Sequence, residues 1–90
     1  MENKINNVTE MKNIYDALSN MYDNILLKGV ELSVEYFYPI INSINTNDLL
    51  FLKHGIKYYN LSSNIDKNTY FSNLIDSCIQ NRLGKGLSRD

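Results

Sequence analysis

Apolar residues in the first third of the chain recur at steps of three and four, which places their side chains on one face of an α-helix. Asn7 and Glu10 have the spacing of a capping box, and Gly29 directly after Lys28 suits a C-cap. The pattern therefore predicts a first helix over residues 7–28. Its apolar positions are Val8, Met11, Tyr15, Leu18, Tyr22 and Ile25.

Residues 30–44 keep the helical step but contain the only proline of the chain, Pro39. Inside a helix, proline removes one backbone hydrogen bond, and its ring would crowd the carbonyl of Glu35. We favour a helix kinked at Pro39, because the alternation that a strand requires fails at residues 36–38. Two alternatives stay open. One is a turn that ends near Tyr38, followed by a helix with Pro39 in its first turn; the other is a strand, since the stretch is rich in β-prone residues.

Residues 47–62 contain a further run of apolar residues at helical steps. It predicts a third helix over residues 48–61, capped by Asn47 or Thr46. Gly55 lies inside this helix, where glycine costs roughly 1 kcal/mol relative to alanine. We interpret Gly55 as a point where another helix approaches closely. The apolar stripe of the helix comprises Leu49, Leu52, Ile56 and Tyr59.

A fourth helix is predicted after Asp66 as its N-cap, with Leu83 as its last residue and Gly84 as its C-cap. Its apolar side comprises Tyr70, Phe71, Leu74, Ile75, Cys78 and Ile79. The connection at residues 43–47 is short, which makes the second and third helices antiparallel neighbours. The sequence thus predicts that residues 1–90 form one all-α domain, an antiparallel four-helix bundle.

Length and charge narrow the classes of function. A formal net charge of -1 gives no electrostatic reason to expect nucleic-acid binding. No stretch reaches the roughly 18 apolar residues of a membrane span, and the polar residues 1–6 do not resemble a secretion signal. We therefore expect a cytoplasmic protein without stable membrane insertion. Residues 1–6 and 85–90 are expected to be flexible.

The single histidine and the single cysteine have no catalytic neighbours in the sequence. His54 has no Cys, Asp or Glu at a metal-binding spacing, and we expect it on the surface of the third helix. Cys78 cannot form an intrachain disulfide, and its apolar helix face predicts a buried structural thiol. Asp16 and Asp23 share a helix face that we expect to be solvated. The sequence predicts no enzyme activity, no cofactor and no metal site.

The chain contains seven tyrosines. Tyr15, Tyr22 and Tyr59 are predicted at the edge of the core, with the ring buried and the hydroxyl in water. The remaining four are more than four short helices can bury, and exposed aromatic residues are enriched at protein contact surfaces. These four are Tyr36, Tyr38, Tyr58 and Tyr70. Scattered surface tyrosines that contact no partner are an equal alternative.

Residues 49–65, LLFLKHGIKYYNLSSNI, resemble the immunity proteins of pediocin-like (class IIa) bacteriocins. The positions that look alike are Leu49, Leu52, Gly55, Ile56, Tyr58, Tyr59, Leu61 and Ser62. The resemblance implies a four-helix bundle that is not an enzyme and that protects the producer cell from its own antimicrobial peptide. It also implies recognition of the bacteriocin-bound mannose phosphotransferase permease from the cytoplasmic side of the membrane.

In that family the C-terminal half sets which bacteriocin is recognised, which implies partner-binding residues in the second half of this chain. The candidates are Lys57, Tyr58, Lys67, Tyr70, Arg82, Lys85 and Arg89. Two other classes of function stay open. One is a small phage or mobile-element inhibitor that binds and blocks a host enzyme; the other is a homo-oligomeric module closed by exposed aromatic residues.

Overall fold

The computed structural model of the protein describes residues 8–59 and 61–84. Its elements, in chain order, are α1 (Val8–Leu27), a 3₁₀ turn (Val34–Tyr36), α2 (Tyr38–Ile41), α3 (Thr46–Tyr58) and α4 (Ile65–Gly84). Neither described range contains a β-strand. The all-α fold class predicted from the sequence is confirmed for this part of the chain, and its four α-helices are compatible with a helical bundle.

The end of α1 is fixed by glycine, as the sequence predicts. Gly29 has φ 69°, a backbone conformation that L side chains rarely adopt. This conformation lets the Gly29 N–H donate to the Leu26 carbonyl at 3.0 Å and the Val30 N–H donate to the Ile25 carbonyl at 3.2 Å, a Schellman motif. The predicted capping box at the other end of α1 depends on Asn7, which lies outside the described residues.

The continuous, kinked second helix predicted for residues 30–44 is wrong. The 3₁₀ turn begins after Ser33, whose hydroxyl accepts a hydrogen bond from the Glu35 N–H at 3.3 Å. A separate short helix, α2, then begins at Tyr38 and holds Pro39 in its first turn. The first turn is where a missing N–H loses no helical hydrogen bond, so proline starts a new helix and does not bend an existing one.

Both long helices of the second half are capped by asparagines that precede the predicted caps. The Asn45 side chain accepts a hydrogen bond from the Asp48 N–H at 2.8 Å, so α3 begins two residues earlier than predicted and ends three residues earlier. The Asn64 side chain accepts from the Lys67 N–H at 3.0 Å, which leaves Asp66 in the first turn of α4. Gly84, predicted as a C-cap, is the last helical residue of α4.

Aromatic rings dominate the core between α1, the 3₁₀ turn and α4. Phe37 and Phe71 are fully buried and meet edge to face, with their ring centroids 5.0 Å apart. Tyr15 lies edge-on to Phe71 at 5.8 Å, and Tyr22 lies 5.7 Å from the same ring. Edge-to-face contacts of this kind add to the hydrophobic gain from burying the rings.

Helix α3 is held by α1 on one side and by α4 on another. Gly55 is buried against Met11 of α1, and a Cβ atom at this position would overlap the Met11 sulfur. The predicted close approach at Gly55 is therefore confirmed. Along α4, Asp76 pairs with Lys53 at 2.7 Å, and Arg82 donates to the Ile44 carbonyl at 3.0 Å. None of the helices within the described ranges is long and apolar enough to cross a membrane.

Candidate protein-interaction surface

The structure divides the predicted partner-binding residues into two groups. Lys57 and Tyr58 lie exposed on the last turn of α3. The predicted residues on α4 are buried or half-buried, and their side chains contact other parts of the protein: Lys67, Tyr70 and Arg82. Lys85 and Arg89 lie outside the described residues. The predicted surface therefore does not form as one patch.

Lys67 was predicted to face a partner, and that prediction is wrong. Only 6% of the residue is exposed. Its ammonium group donates to the Ser19 hydroxyl at 2.7 Å, pairs with Asp23 at 2.9 Å and lies 5.5 Å from the centre of the Tyr22 ring. A buried ammonium needs such partners, because leaving it unpaired away from water is costly. Lys67 thus links α4 to α1, and Asp23 is not simply solvated as expected.

Tyr70 was predicted as an exposed contact residue, and that prediction is also wrong. Its ring packs edge-on against Tyr22 at 5.6 Å and against Phe37 at 5.8 Å. Its hydroxyl oxygen is buried and has no hydrogen-bond partner among the described residues. Burial raises the pKa of Tyr70 above its ordinary value of 10.0. The side chain therefore belongs to the rim of the aromatic core.

Arg82 holds the end of α4 against the start of α3. Its guanidinium donates to the Thr46 hydroxyl and to the Ile44 carbonyl, both at 3.0 Å. These bonds satisfy a carbonyl in the connection before α3, where regular backbone hydrogen bonds are absent. These contacts within the protein account for the position of Arg82 in the fold.

An exposed cluster of rings, the His54 cluster, lies on the C-terminal half of α3 and consists of His54, Tyr58 and Tyr59. The His54 ring lies 4.5 Å from the ring of Tyr58 and 5.9 Å from that of Tyr59. Tyr58 is 60% exposed and Tyr59 is 47% exposed. The predicted surface position of His54 is confirmed, whereas Tyr59 caps α3 on the surface and does not reach the core edge.

The other tyrosines follow the prediction in part. Tyr36 and Tyr38 are exposed, as predicted. Tyr15 and Tyr22 are buried, as predicted, but the Tyr15 hydroxyl is not in water: it donates to the side-chain oxygen of Asn68 on α4. Burial raises the pKa of Tyr15 to about 12.

Beside the His54 cluster, a groove of about 410 Å³ runs between α3 and α4. We call it the α3–α4 groove. From α3 it is lined by Lys53, Ile56 and Lys57, which follow steps of three and four along one helix face. From α4 it is lined by Ile65, Asn68, Thr69, Ser72 and Asn73, again at helical steps.

The α3–α4 groove is lined by two lysines and four uncharged polar residues, together with two isoleucines. Lys53 and Lys57 both line it, and no carboxylate does so among the described residues. Asp76, the ion-pair partner of Lys53, follows Asn73 by three residues on the same face of α4. Ile65 is an apolar contact on the groove wall and is 76% exposed.

Sequence reasoning missed the α3–α4 groove. The signal was present as a stripe of uncharged polar residues on α4, at the steps that apolar residues follow elsewhere. The stripe becomes one wall of a groove only when Lys53 and Lys57 lie opposite it, which requires the packing of two helices.

Metal-binding clusters are absent from residues 8–59 and 61–84. Those ranges contain no group of three or more His, Cys, Asp or Glu side chains that could hold a metal ion. Cys78, predicted as buried, is half-buried, and its thiol lies 3.8 Å from the Asn42 side-chain oxygen. The surface features are suited to contact with another molecule.

No protein-family model, curated protein or solved structure matches this chain. The residues that carry the resemblance noted in the sequence fall into a buried group and an exposed group. Five of its residues form the buried side of α3 and the start of the following connection: Leu49, Leu52, Gly55, Ile56 and Leu61. Tyr58 and Tyr59 are the exposed aromatic part of it. Most of the resemblance thus concerns packing, and function has to be argued from the surface.

Proposed function

We propose that this chain is an immunity protein of the pediocin-like bacteriocin type, which protects its producer by binding the bacteriocin-bound mannose phosphotransferase permease. In this proposal the protein acts in the cytoplasm at the inner face of the membrane and performs no reaction itself. The single observation that carries the proposal is the exposed His54 cluster, which lies on α3 inside the stretch that resembles that family.

The proposed scaffold is an antiparallel four-helix bundle. Two contacts support opposite directions for α3 and α4. Thr46, at the start of α3, receives a hydrogen bond from Arg82 near the end of α4. About two turns further along α3, Lys53 pairs with Asp76, which is earlier in α4. Rigid helices that hold a binding surface in place are what recognition without catalysis requires.

The His54 cluster has the composition of a contact surface. Aromatic residues are enriched at interface centres because they bury a large area with few rotatable bonds. The Lys57 ammonium lies 5.5 Å from the centre of the Tyr58 ring, which adds a positive charge to the same surface. A partner with acidic and apolar groups would complement this combination.

The proposal is tested by expressing the chain in a strain that is sensitive to class IIa bacteriocins. We expect growth at peptide concentrations that kill cells carrying the empty vector, for at least one peptide of a broad panel. Unchanged sensitivity across the whole panel, with the protein present in the cells, would contradict the proposal.

The contribution of the His54 cluster is tested in the same strain with Tyr58→Ala, and Tyr36→Ala serves as the matched control. Both residues are exposed tyrosines, so their truncation has similar effects on stability. We expect Tyr58→Ala to lower protection and Tyr36→Ala to retain it. Equal protection by both variants would exclude Tyr58 as part of the contact.

A further inference from the structure

We propose that the α3–α4 groove binds an extended acidic segment of the protein partner, and that Asp76 competes with this segment for Lys53. The inference rests on the proposed function in one respect, namely that the chain works by binding another protein. It adds that the recognised segment is acidic and extended, and that Asp76 of the same chain competes with it for Lys53.

The spacing of the two groove lysines fits an extended chain. Lys53 and Lys57 are four residues apart on α3, so their Cβ atoms are about 5–6 Å apart. In an extended segment, side chains on one face recur every second residue, a distance of about 6.6 Å. Two carboxylates at alternate positions can therefore reach both lysines at once. This spacing favours a segment in which Asp or Glu recurs every second residue.

Lys53 is available to such a segment at low cost. Its bond to Asp76 is short, at 2.7 Å, but the side chains are 38% and 47% exposed. Exposed ion pairs contribute about 0–1 kcal/mol, because water and salt compete with them. A carboxylate of the partner can replace Asp76, which then returns to solvent. Lys57 contacts no carboxylate within the described residues and needs no such exchange.

The remaining lining of the groove suits a polypeptide. Thr69 and Asn73 are exposed on the wall formed by α4, and their side chains can bond the backbone N–H and C=O groups of an extended segment. Ile65 provides an apolar contact for another side chain of the segment. A lipid phosphate only accepts hydrogen bonds and would leave the acceptor oxygens of Thr69 and Asn73 unused, so a wall that both donates and accepts favours a peptide over a membrane surface.

The direct test uses a soluble peptide of alternating glutamate and threonine, with a glutamine-for-glutamate peptide as its control. Binding to the isotope-labelled full chain is followed by NMR. We expect shifts at the amides of Lys53, Lys57 and Thr69 with the glutamate peptide, and weaker binding as salt is added. Absence of these shifts, or equal binding of the glutamine peptide, would overturn the proposal.

Two substitutions should change the affinity for the glutamate peptide in opposite directions. Lys57→Gln should weaken binding of the glutamate peptide roughly three- to fivefold, the loss of one exposed charge pair. Asp76→Asn should strengthen it, because Lys53 is then freed. Lys12→Gln and Asp16→Asn, at exposed positions on α1, make the same charge changes elsewhere and should leave the affinity near that of the unmodified chain.

If Asp76→Asn leaves the affinity unchanged or lowers it, the competition is excluded. A second experiment measures binding of the chain to vesicles of phosphatidylcholine with added phosphatidylserine. Binding to these vesicles without binding to the peptide would overturn the proposal in favour of a membrane surface. Protection of cells by a chain that does not bind the peptide would refute the groove proposal alone, whereas peptide binding without protection would refute the proposed function alone.

Discussion

At the scale of single residues, the contact between Gly55 and Met11 shows how closely α1 and α3 approach. Met11 is fully buried, so its side chain cannot move aside without displacing other core residues. A glycine at Gly55 lowers the helix propensity of α3 but leaves room for the Met11 sulfur. Glycine at this position therefore lowers the local stability of α3 but allows α1 and α3 to pack closely together.

Gly55→Ala is expected to lower the free energy of unfolding by about 1 kcal/mol, because overpacking costs about 1–3 kcal/mol and the gain in helix propensity returns about 1 kcal/mol. Urea denaturation followed by circular dichroism measures the change. Gly84→Ala is the matched control, since nothing lies within 4 Å of a Cβ placed there. In a Met11→Ala background the sign should reverse, and Gly55→Ala should stabilise; a loss of the same size in both backgrounds would show that Met11 is not the obstacle.

Tyr15 makes stability depend on alkaline pH. Its pKa is raised by burial from 10.0 to about 12, so the folded protein keeps a proton that the unfolded chain loses first. Below pH about 10 both states hold the proton, and the contribution of Tyr15 is constant. Between pH about 10 and about 12 the free energy of unfolding falls, by up to about 1.4 kcal/mol per pH unit.

Urea denaturation across that range should show a shallower fall for Tyr15→Phe than for the unmodified chain. At neutral pH the same variant should lose about 1 kcal/mol, because the Asn68 oxygen loses its donor. Tyr58→Phe, which removes a tyrosine hydroxyl at an exposed position, is the control. A Tyr15→Phe slope equal to that of the unmodified chain would mean that Tyr15 does not retain its proton on folding.

At the scale of elements, the beginnings of α3 and α4 are each set by one asparagine. Asn64 accepts a hydrogen bond from the Lys67 N–H, and the Asn64 N–H in turn donates to the Ser62 hydroxyl at 3.0 Å. The connection between α3 and α4 is further tied down by Asn68, whose side-chain amide donates to the Ser62 carbonyl at 2.9 Å. Hydrogen bonds made by residues before and after Ile65, the first residue of α4, thus fix where this helix begins.

Asn64→Ala is expected to cost about 1 kcal/mol, the usual loss for removing an N-cap, and Asp66→Ala only a few tenths through the helix dipole. Thermal unfolding followed by circular dichroism compares the two. The order of the two effects would reverse if Asp66 were the cap, as its acidic side chain suggests from sequence alone.

The sequence was sufficient for the long helices, because their signal is local. Apolar residues at helical steps predict α1, α3 and α4 to within a few residues. The segment before α3 was not predictable in the same way, since Pro39 permits either a bend or a new helix and only packing decides between them. Burial of Lys67 was missed for a related reason: it lies on the face of α4 that α1 covers, and no property of α4 alone reveals this. Tyr70 lies on the predicted apolar side of α4, but it was assigned to the surface because of the number of tyrosines in the chain.

At the scale of the whole molecule, stability depends on few contacts, because a chain of this size has a net stability of only a few kcal/mol. Ile56 is 4% exposed, on the side of α3 that faces the core. Ile56→Asp is expected to abolish cooperative folding, because an unpaired charge in the core costs as much as the whole net stability.

The control for Ile56→Asp is Leu50→Asp, on the same helix but 48% exposed. Thermal unfolding should be cooperative for Leu50→Asp and absent or strongly shifted for Ile56→Asp. Similar melting of the two variants would mean that α3 is not central to the fold.

The contact between Cys78 and Asn42 has a practical consequence. Asn42 ends α2, and Cys78, the only cysteine of the chain, faces it from α4. Because the sulfur is only half-buried, a thiol reagent can reach part of it in the folded protein, and an opening of the segment that carries α2 would expose the rest. The rate of thiol labelling under native conditions is therefore expected to rise when this segment opens, and no engineered cysteine is needed to measure it.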